Sequence, residues 1–323
     1  MEYPVIYKIE DIYYPFLAAF GVPVNLLAIV ILSRGKCGLS TCITRYLVAM
    51  AAADLLVIIA EVILYRVSRY YFPGSFLEIT PVCSVHAVLI YAATDCSVWL
   101  TVAFTFDRLL AICCPKLKTS YCTEKVATGV ITTVIALSFS RQIPRYFANE
   151  PEYVADGVSW NCQVISGYYT LPGWIAFDWL DTVLTPVLPF ILILLFNALT
   201  VRHILVASRV RRGFQLSINR AKQSDRTMEN RKKSIVLLIS ISGSFILLWL
   251  AYVVQFLHYQ IANYYDSAGP HDPVYIFQQT AYMLQVSSCC TNTCIYAVTQ
   301  TKFREELKNV IKCPLRVIGK IVK

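Results

Sequence analysis

Seven apolar segments recur along the chain, each long enough to cross a hydrocarbon core of about 30 Å as a helix of roughly 20 residues. They run approximately from Tyr14 to Leu32, Tyr46 to Tyr65, Val85 to Cys113, Val126 to Ile143, Trp179 to Leu205, Ile235 to Ile261 and Val274 to Val298. In lipid, backbone N–H and C=O groups must find partners inside the segment, so spans of this length imply helices rather than open sheet. The expected fold is therefore all-α, a seven-transmembrane helix bundle. Composition agrees: 57 % of the 323 residues are hydrophobic and 15 % charged, against about 25 % charged in ordinary soluble domains. No Gly- or Ser-rich linker divides the chain, and one unit over residues 1–323 is expected, with 1–13 before the bundle, 14–298 in it and 299–323 after it. Glu2, Glu10 and Asp11 stand where a signal peptide would be basic, so the first span is expected to stay.

The net charge of +9 would suggest nucleic acid if it were spread over the chain. It is not. With the N-terminus outside, 24 of the 29 Lys and Arg fall on inner segments, 10 of them between Arg202 and Lys233, and five (Lys8, Arg66, Arg69, Arg141, Arg145) on outer ones. Basic residues favour the cytoplasmic side, which predicts an extracellular N-terminus and a cytoplasmic C-terminus. Counting acids, the inner side carries +18 and the remainder −9. The basic surplus belongs to a surface that attracts acidic lipid headgroups or an acidic partner, and nucleic acid is excluded as a partner.

Ionisable residues inside spans are costly and point to function. Asp54 lies in the second span, with Asn25 in the first and Asn292 in the seventh at similar depth. Asp107-Arg108-Leu109 closes the third span at its inner end, and Cys83 opens it at its outer end. Pro189, then Phe245 with Trp249, then Asn292-Thr293-Cys294-Ile295-Tyr296 and Lys302-Phe303-Arg304 follow in order. Together these resemble the rhodopsin-like (class A) G-protein-coupled receptors along essentially the whole chain. Ala51-Ala52-Ala53-Asp54, Trp99 and Asn197 are similar to the orphan receptor 139/142 branch.

The resemblance implies a cell-surface receptor, not an enzyme, that passes binding of an extracellular ligand to a heterotrimeric G protein. It implies a Cys83–Cys162 disulfide, a short amphipathic eighth helix, and a coupling face of Asp107, Arg108, Asn197 and Tyr296. It also implies a polar network of Asp54, Ser97 and Asn292 able to hold Na⁺ as an allosteric ion; no cofactor is expected. The departures matter too. The fourth span lacks Trp, Ala251 and Thr293 replace the prolines of helices six and seven, Leu109 replaces Tyr, and Arg231 stands where an acid would pair with Arg108. Smaller kinks and ligand-independent signalling are expected.

Of twelve cysteines, Cys37, Cys42, Cys113, Cys114, Cys122 and Cys313 fall on or near the inner side, where thiols stay reduced. Cys96, Cys289, Cys290 and Cys294 fall within spans as packing residues. Cys313 follows the amphipathic stretch and is a palmitoylation candidate. The four histidines (His86, His203, His258, His271) form no cluster that would activate water on a metal, which weighs against a seven-span hydrolase. No internal repeat supports the other alternative, a transporter. No Asn-x-Ser/Thr sequon occurs, and the tail after Thr301 lacks Ser and Thr. Any phosphorylated cluster would use Ser208, Ser217, Ser224, Thr227 or Ser234.

For the ligand, the position of the amine-receptor aspartate is Ile90, eighteen residues before Arg108. Asp95, Asp181 and Arg141 converge in the family's arrangement, either to meet a ligand with charged ends or to brace helices. Tyr91, Trp179, Trp249, Tyr252, Phe256, Tyr259 and Tyr282 are directed toward the cavity, while Tyr70, Tyr71, Tyr264 and Tyr265 fit an interfacial belt. The expected ligand is a small zwitterion or a short peptide.

Overall fold

The computed structural model describes residues 3–214, 223–262 and 269–321; the side chains at 115, 208–214, 223–233, 259, 260, 262, 311 and 313–321 lie outside the description. Expectations resting on Arg231, Ser208, Ser217, Ser224, Thr227, Tyr259, Tyr264, Tyr265 and the Cys313 thiol therefore fall outside the described residues. Seven long helices follow one another: α1 (Val5–Ser33), α2 (Thr41–Tyr71), α3 (Thr80–Cys113), α4 (Glu124–Gln142), α5 (Pro172–Ala207), α6 (Gln223–Ala262) and α7 (Pro273–Thr299). An eighth, α8 (Thr301–Ile321), follows after Gln300. Helix starts are chemically marked. Ser40 accepts from Ile43 N, Thr123 from Val126 N and Asp272 from Val274 N, each satisfying an orphan donor of the first turn.

Six of the seven are long and apolar enough to cross a membrane by composition alone; α7 is not among them. Its polar residues explain the difference. Gln279, Gln285, Ser288, Asn292 and Thr293 are all buried inside the bundle, so α7 spends its polarity on its neighbours rather than on lipid.

Packing is organised in three apolar clusters. One, toward the basic end of the bundle, gathers Leu47, Met50, Leu100, Phe104, Leu237, Tyr296 and Phe303. A second joins α1, α2 and α7 through Leu17, Val57, Ile58 and Val286. The third joins α3, α5 and α6 through Val98, Ile193, Phe245 and Trp249. Gly21 makes the second one possible: a Cβ there would lie 2.5 Å from Ile58 Cδ1 and 2.8 Å from Cys290 Sγ.

Two helices carry irregularities that bear on the site. In α2, the turns from Ile58 to Val67 are π-helical, a geometry that adds a residue per turn and concentrates at functional sites. The His86 Nε2–H of α3 donates to Ala60 O at 2.7 Å within this stretch. In α5, Thr185 is non-helical (φ −154°, ψ 106°) because Pro186 bars its predecessor from the α region. The helix is thus interrupted at Thr185 and Pro186, three residues before Pro189, the residue that resembles the family's proline of this helix.

Between α4 and α5 the chain forms a two-layered hairpin. Tyr153–Ala155 pairs with Val158–Trp160, and below it Asn149–Glu150 pairs with Gln163–Val164. Asp156 and Gly157 make the turn, both at positive φ (52° and 74°), the Asp-Gly preference of tight hairpins. The Cys83–Cys162 disulfide ties the hairpin to the top of α3 across a Cα separation of 6.3 Å, and Asn161 N donates to Glu78 O at 2.7 Å beside it.

Candidate functional site

The disulfide end of the bundle holds a cavity of about 540 Å³, within the range of small-ligand pockets. Tyr91, Asp181, Tyr252, Phe256 and Tyr282 line it, as the sequence led one to expect. The hairpin covers it through Asn149, Asn161, Cys162 and Val164. Its aromatic wall is continuous: Tyr252 lies 5.6 Å from both Phe256 and Tyr282, centroid to centroid, and 5.4 Å from Trp249 beneath.

A cluster of opposed charges sits on the α3–α4–α5 side. Arg141 pairs with Asp95 and reaches Asp181 Oδ1 at 3.2 Å, while Arg145 Nη2 meets Asp181 Oδ2 at 2.8 Å. Gln142 stitches the two acids together, its Nε2 donating to Asp95 Oδ2 and to Asp181 Oδ1 at 2.8 Å each. Thr185 Oγ1, freed by the break in α5, donates to Asp95 Oδ1 at 2.8 Å and accepts from Arg141 at 3.1 Å. Two acids and two guanidiniums thus neutralise one another, the condition under which charges are tolerated at this depth.

The sequence placed Asp95, Arg141 and Trp249 among the ligand contacts, and none of the three lines the cavity. Asp95 is enclosed by Arg141, Gln142 and Thr185, and Trp249 is buried with its indole N–H donated to Ser288 Oγ at 3.1 Å. The cation on the cavity wall is Arg145, which stacks 3.5 Å from the Tyr91 centroid and 5.4 Å from that of Phe177. Trp179 is half exposed and also absent from the wall. Nearby Tyr168 donates to Asp178 Oδ1 at 3.1 Å, and burial holds its phenol above the ordinary tyrosine range, so it remains a donor.

Deeper in the bundle, Asp54 receives Ser97 Oγ at 2.5 Å on one oxygen and Asn292 Nδ2 at 2.8 Å on the other. Asn25 donates to Gly21 O and Cys289 O, cross-linking α1 and α7. Asn25 Oδ1 and Thr293 Oγ1 are buried without hydrogen-bond partners. The Asp54 carboxylate and the Ser97 hydroxyl are hard oxygen donors of the type that suit Na⁺. Among the described residues no group of three or more His, Cys, Asp or Glu is placed to hold a metal.

At the basic end, Asp107 and Arg108 pair with each other and are both buried. Two thiols flank the aspartate: Cys42 Sγ donates to Asp107 Oδ1 at 3.3 Å and Cys122 Sγ to its carbonyl at 3.7 Å. Burial, reinforced by Asp107, pushes the Cys122 thiol up to about 11, so it is a neutral donor. Asn197 accepts from Ser242 Oγ at 2.9 Å, joining α5 to α6. Tyr296 is fully buried against Phe303 of α8 at 5.9 Å. The four residues expected to form a coupling face are therefore held in three separate local arrangements.

The sequence profile described as "7 transmembrane receptor (rhodopsin family)" matches residues 24–296. The chain belongs to that family. It is a multi-pass plasma-membrane receptor and not an enzyme. It is 23 % identical to cysteinyl leukotriene receptor 1 of Cavia porcellus over 299 residues, covering 86 % of this chain and 77 % of that one. It is 23 % identical to probable G-protein coupled receptor 142 of Mus musculus over 306 residues (94 % and 73 %), and to the sex peptide receptor of Drosophila melanogaster over 330 (92 % and 71 %).

For a rhodopsin-family receptor, the residues that sequence reasoning missed are informative. Arg145 was counted only as an outer charge, and Gln142 was not considered. The Asp156-Gly157 turn between alternating residues signals the hairpin and could have been read. Glu61 and Arg66, inside and at the end of the second apolar span, also reach the cavity. Arg66 lies 5.3 to 5.6 Å from the rings of Tyr14, Tyr65 and Tyr282.

Proposed function

We propose that this receptor takes up an extracellular small zwitterion or short peptide at the disulfide end and passes its binding to a heterotrimeric G protein at the basic end. In this reading the N-terminus faces outside and the C-terminus the cytoplasm. What supports the ligand class is the cavity wall: an aromatic enclosure of about 540 Å³ with Arg145 and Asp181 on one side and Glu61 on the other. Arg145 and Asp181 pair with each other, but a purely apolar ligand would take water from Glu61 and give it no hydrogen bond in return. The relatives' names point to different ligands, a cysteinyl leukotriene and a sex peptide, and the ligand class follows from this chain's own cavity residues.

Contact with the Tyr252–Trp249–Phe245 stack would reach α6 directly, since Trp249 lies 5.0 Å from Phe245 and 5.4 Å from Tyr252. Movement of α6 would then break the Ser242–Asn197 bond and open the face around Arg108 to the G protein. Ligand and G-protein affinities are reciprocal under this linkage. Na⁺ at Asp54, Ser97 and Asn292 would favour the closed arrangement.

The test is a screen of amino acids, amines and short peptides on transfected cells through several G-protein reporters. Activation by a compound carrying both charge and an apolar group supports the proposal. Activation by uncharged lipids alone would overturn the ligand class.

A further inference from the structure

The charge cluster of Asp95, Asp181, Arg141 and Arg145 is internally compensated, but one acid on the cavity wall is not. Glu61 is 7 % exposed, lines the 540 Å³ cavity, and has no hydrogen bond or ion pair among the described residues. A buried carboxylate with no hydrogen bond or ion pair of its own is costly, so a site open at the cavity wall is available to a partner that arrives from outside. Arg66 acts on Glu61 through space but makes no hydrogen bond or ion pair with it. Its guanidinium lies over the rings of Tyr14, Tyr65 and Tyr282 and donates to Gln279 Oε1 at 3.5 Å, with Nε buried and unpartnered.

The backbone is built to present this acid. Glu61 lies in the first turn of the π-helical stretch of α2, where the added residue turns the helix face relative to regular α geometry. The immediately preceding carbonyl, Ala60 O, is held by His86 of α3, which fixes the irregular turn against the neighbouring helix. Tyr252 and Tyr282, also on the cavity wall, lie within electrostatic range of the carboxylate. Tyrosine rings beside a carboxylate form a site that favours a cationic group by charge and by ring face together.

We propose that Glu61 is the counter-ion for a protonated amine of the ligand. Resting on the receptor reading above, the inference fixes the ligand's direction: its ammonium lies toward α2 and α7, and its other polar end toward Arg145 on the α4–α5 side. A metal cation fits less well, because the remaining groups named here are phenols and an imidazole whose Nε2–H is already donated.

The experiment does not depend on knowing the ligand. Leu64 lines the same cavity. In receptor on intact cells, Leu64→Cys is reacted with a cationic trimethylammonio-ethyl methanethiosulfonate and with its anionic sulfonato-ethyl counterpart, and the ratio of rates is compared with that of Leu64→Cys/Glu61→Gln. A cation preference that falls about fivefold or more on neutralising Glu61, and is kept in Leu64→Cys/Glu61→Asp, supports the site; an unchanged ratio overturns it. The second arm compares benzylamine, N-acetylbenzylamine and phenylacetate for thermal stabilisation of the purified receptor. Stabilisation by the free amine that Glu61→Gln reduces about tenfold in apparent affinity supports the proposal, and equal stabilisation by the acetylated amine overturns it. The receptor reading is judged separately, by G-protein activation, so its failure would leave the rate ratio to decide Glu61 alone.

Discussion

Arg145 stands 3.5 Å from the centroid of Tyr91, whereas Arg141, four residues earlier on the same rising chain, is locked onto Asp95 away from the cavity. The two arginines share Asp181 yet face different tasks. Arg141→Ala would leave Asp95 buried with its charge uncompensated, at a cost of about 3 to 5 kcal/mol, so surface expression and thermal stability should fall sharply. Arg145→Lys keeps the charge beside Asp181 but loses the planar stack. Expression should survive, while the potency of any activating zwitterion from the reporter screen should drop roughly tenfold, the worth of about 1.4 kcal/mol. Equal loss of expression in both variants would refute this division.

Asp54 takes both of its strong hydrogen bonds from side chains of other helices, Ser97 and Asn292. If the spare oxygens of Asn25 and Thr293 complete a Na⁺ site, NaCl should raise the melting temperature of the purified receptor relative to choline chloride at equal ionic strength. Asp54→Asn removes the one formal charge in the set, and the salt-specific increment should vanish. An identical increment in that variant would exclude Asp54 as the ion's ligand.

How much of this was legible beforehand depends on the range of the interaction. The seven spans, the disulfide partners and Asp54 with Ser97 and Asn292 were readable because each rests on segment length or on a motif at fixed spacing. The cavity wall was harder. Arg141 and Arg145 are both basic, both near the end of α4, and differ only in which side of a helix end they occupy; a turn of 3₁₀ geometry from Ile143 to Ala148 decides it. Glu61 was hidden for a related reason, since its facing is set by a π-helical stretch whose Ala60 carbonyl is bonded by a histidine 26 residues later. The polar helix α7 shows the converse, a segment whose role is clear only when its neighbours are seen to receive its glutamines.

Arg108 is held by Asp107 next to it in sequence, and the flanking Cys42 and Cys122 thiols are weak donors to that same aspartate. A bond within one helix end cannot tie α3 to α6 as a bond between helices would. Wild-type receptor should therefore signal above empty cells without ligand. Asp107→Asn removes a charged acceptor worth about 1.5 to 3 kcal/mol and should raise basal second-messenger output several-fold at matched surface density. Basal output indistinguishable from empty cells in both would show that another contact restrains Arg108.

The hairpin over the cavity is anchored at one end by the disulfide and shaped at the other by Asp156-Gly157. The tip thus controls how firmly the lid keeps its form without touching the cavity wall, since neither turn residue lines it. Gly157 sits at φ 74° with nothing within 4 Å of where a Cβ would be, so an added side chain clashes with no neighbour and the cost is backbone strain alone. For a β-branched residue such as Val that strain is about 1 to 2 kcal/mol. If the lid retains the ligand, Gly157→Val should speed ligand dissociation roughly five- to tenfold with little change in association, because lid disorder lowers the barrier to exit more than it hinders entry. Gly157→Asn tolerates the left-handed turn and should restore the slow rate. A dissociation rate unaltered in Gly157→Val would mean that the aromatic wall beneath, not the hairpin, retains the ligand.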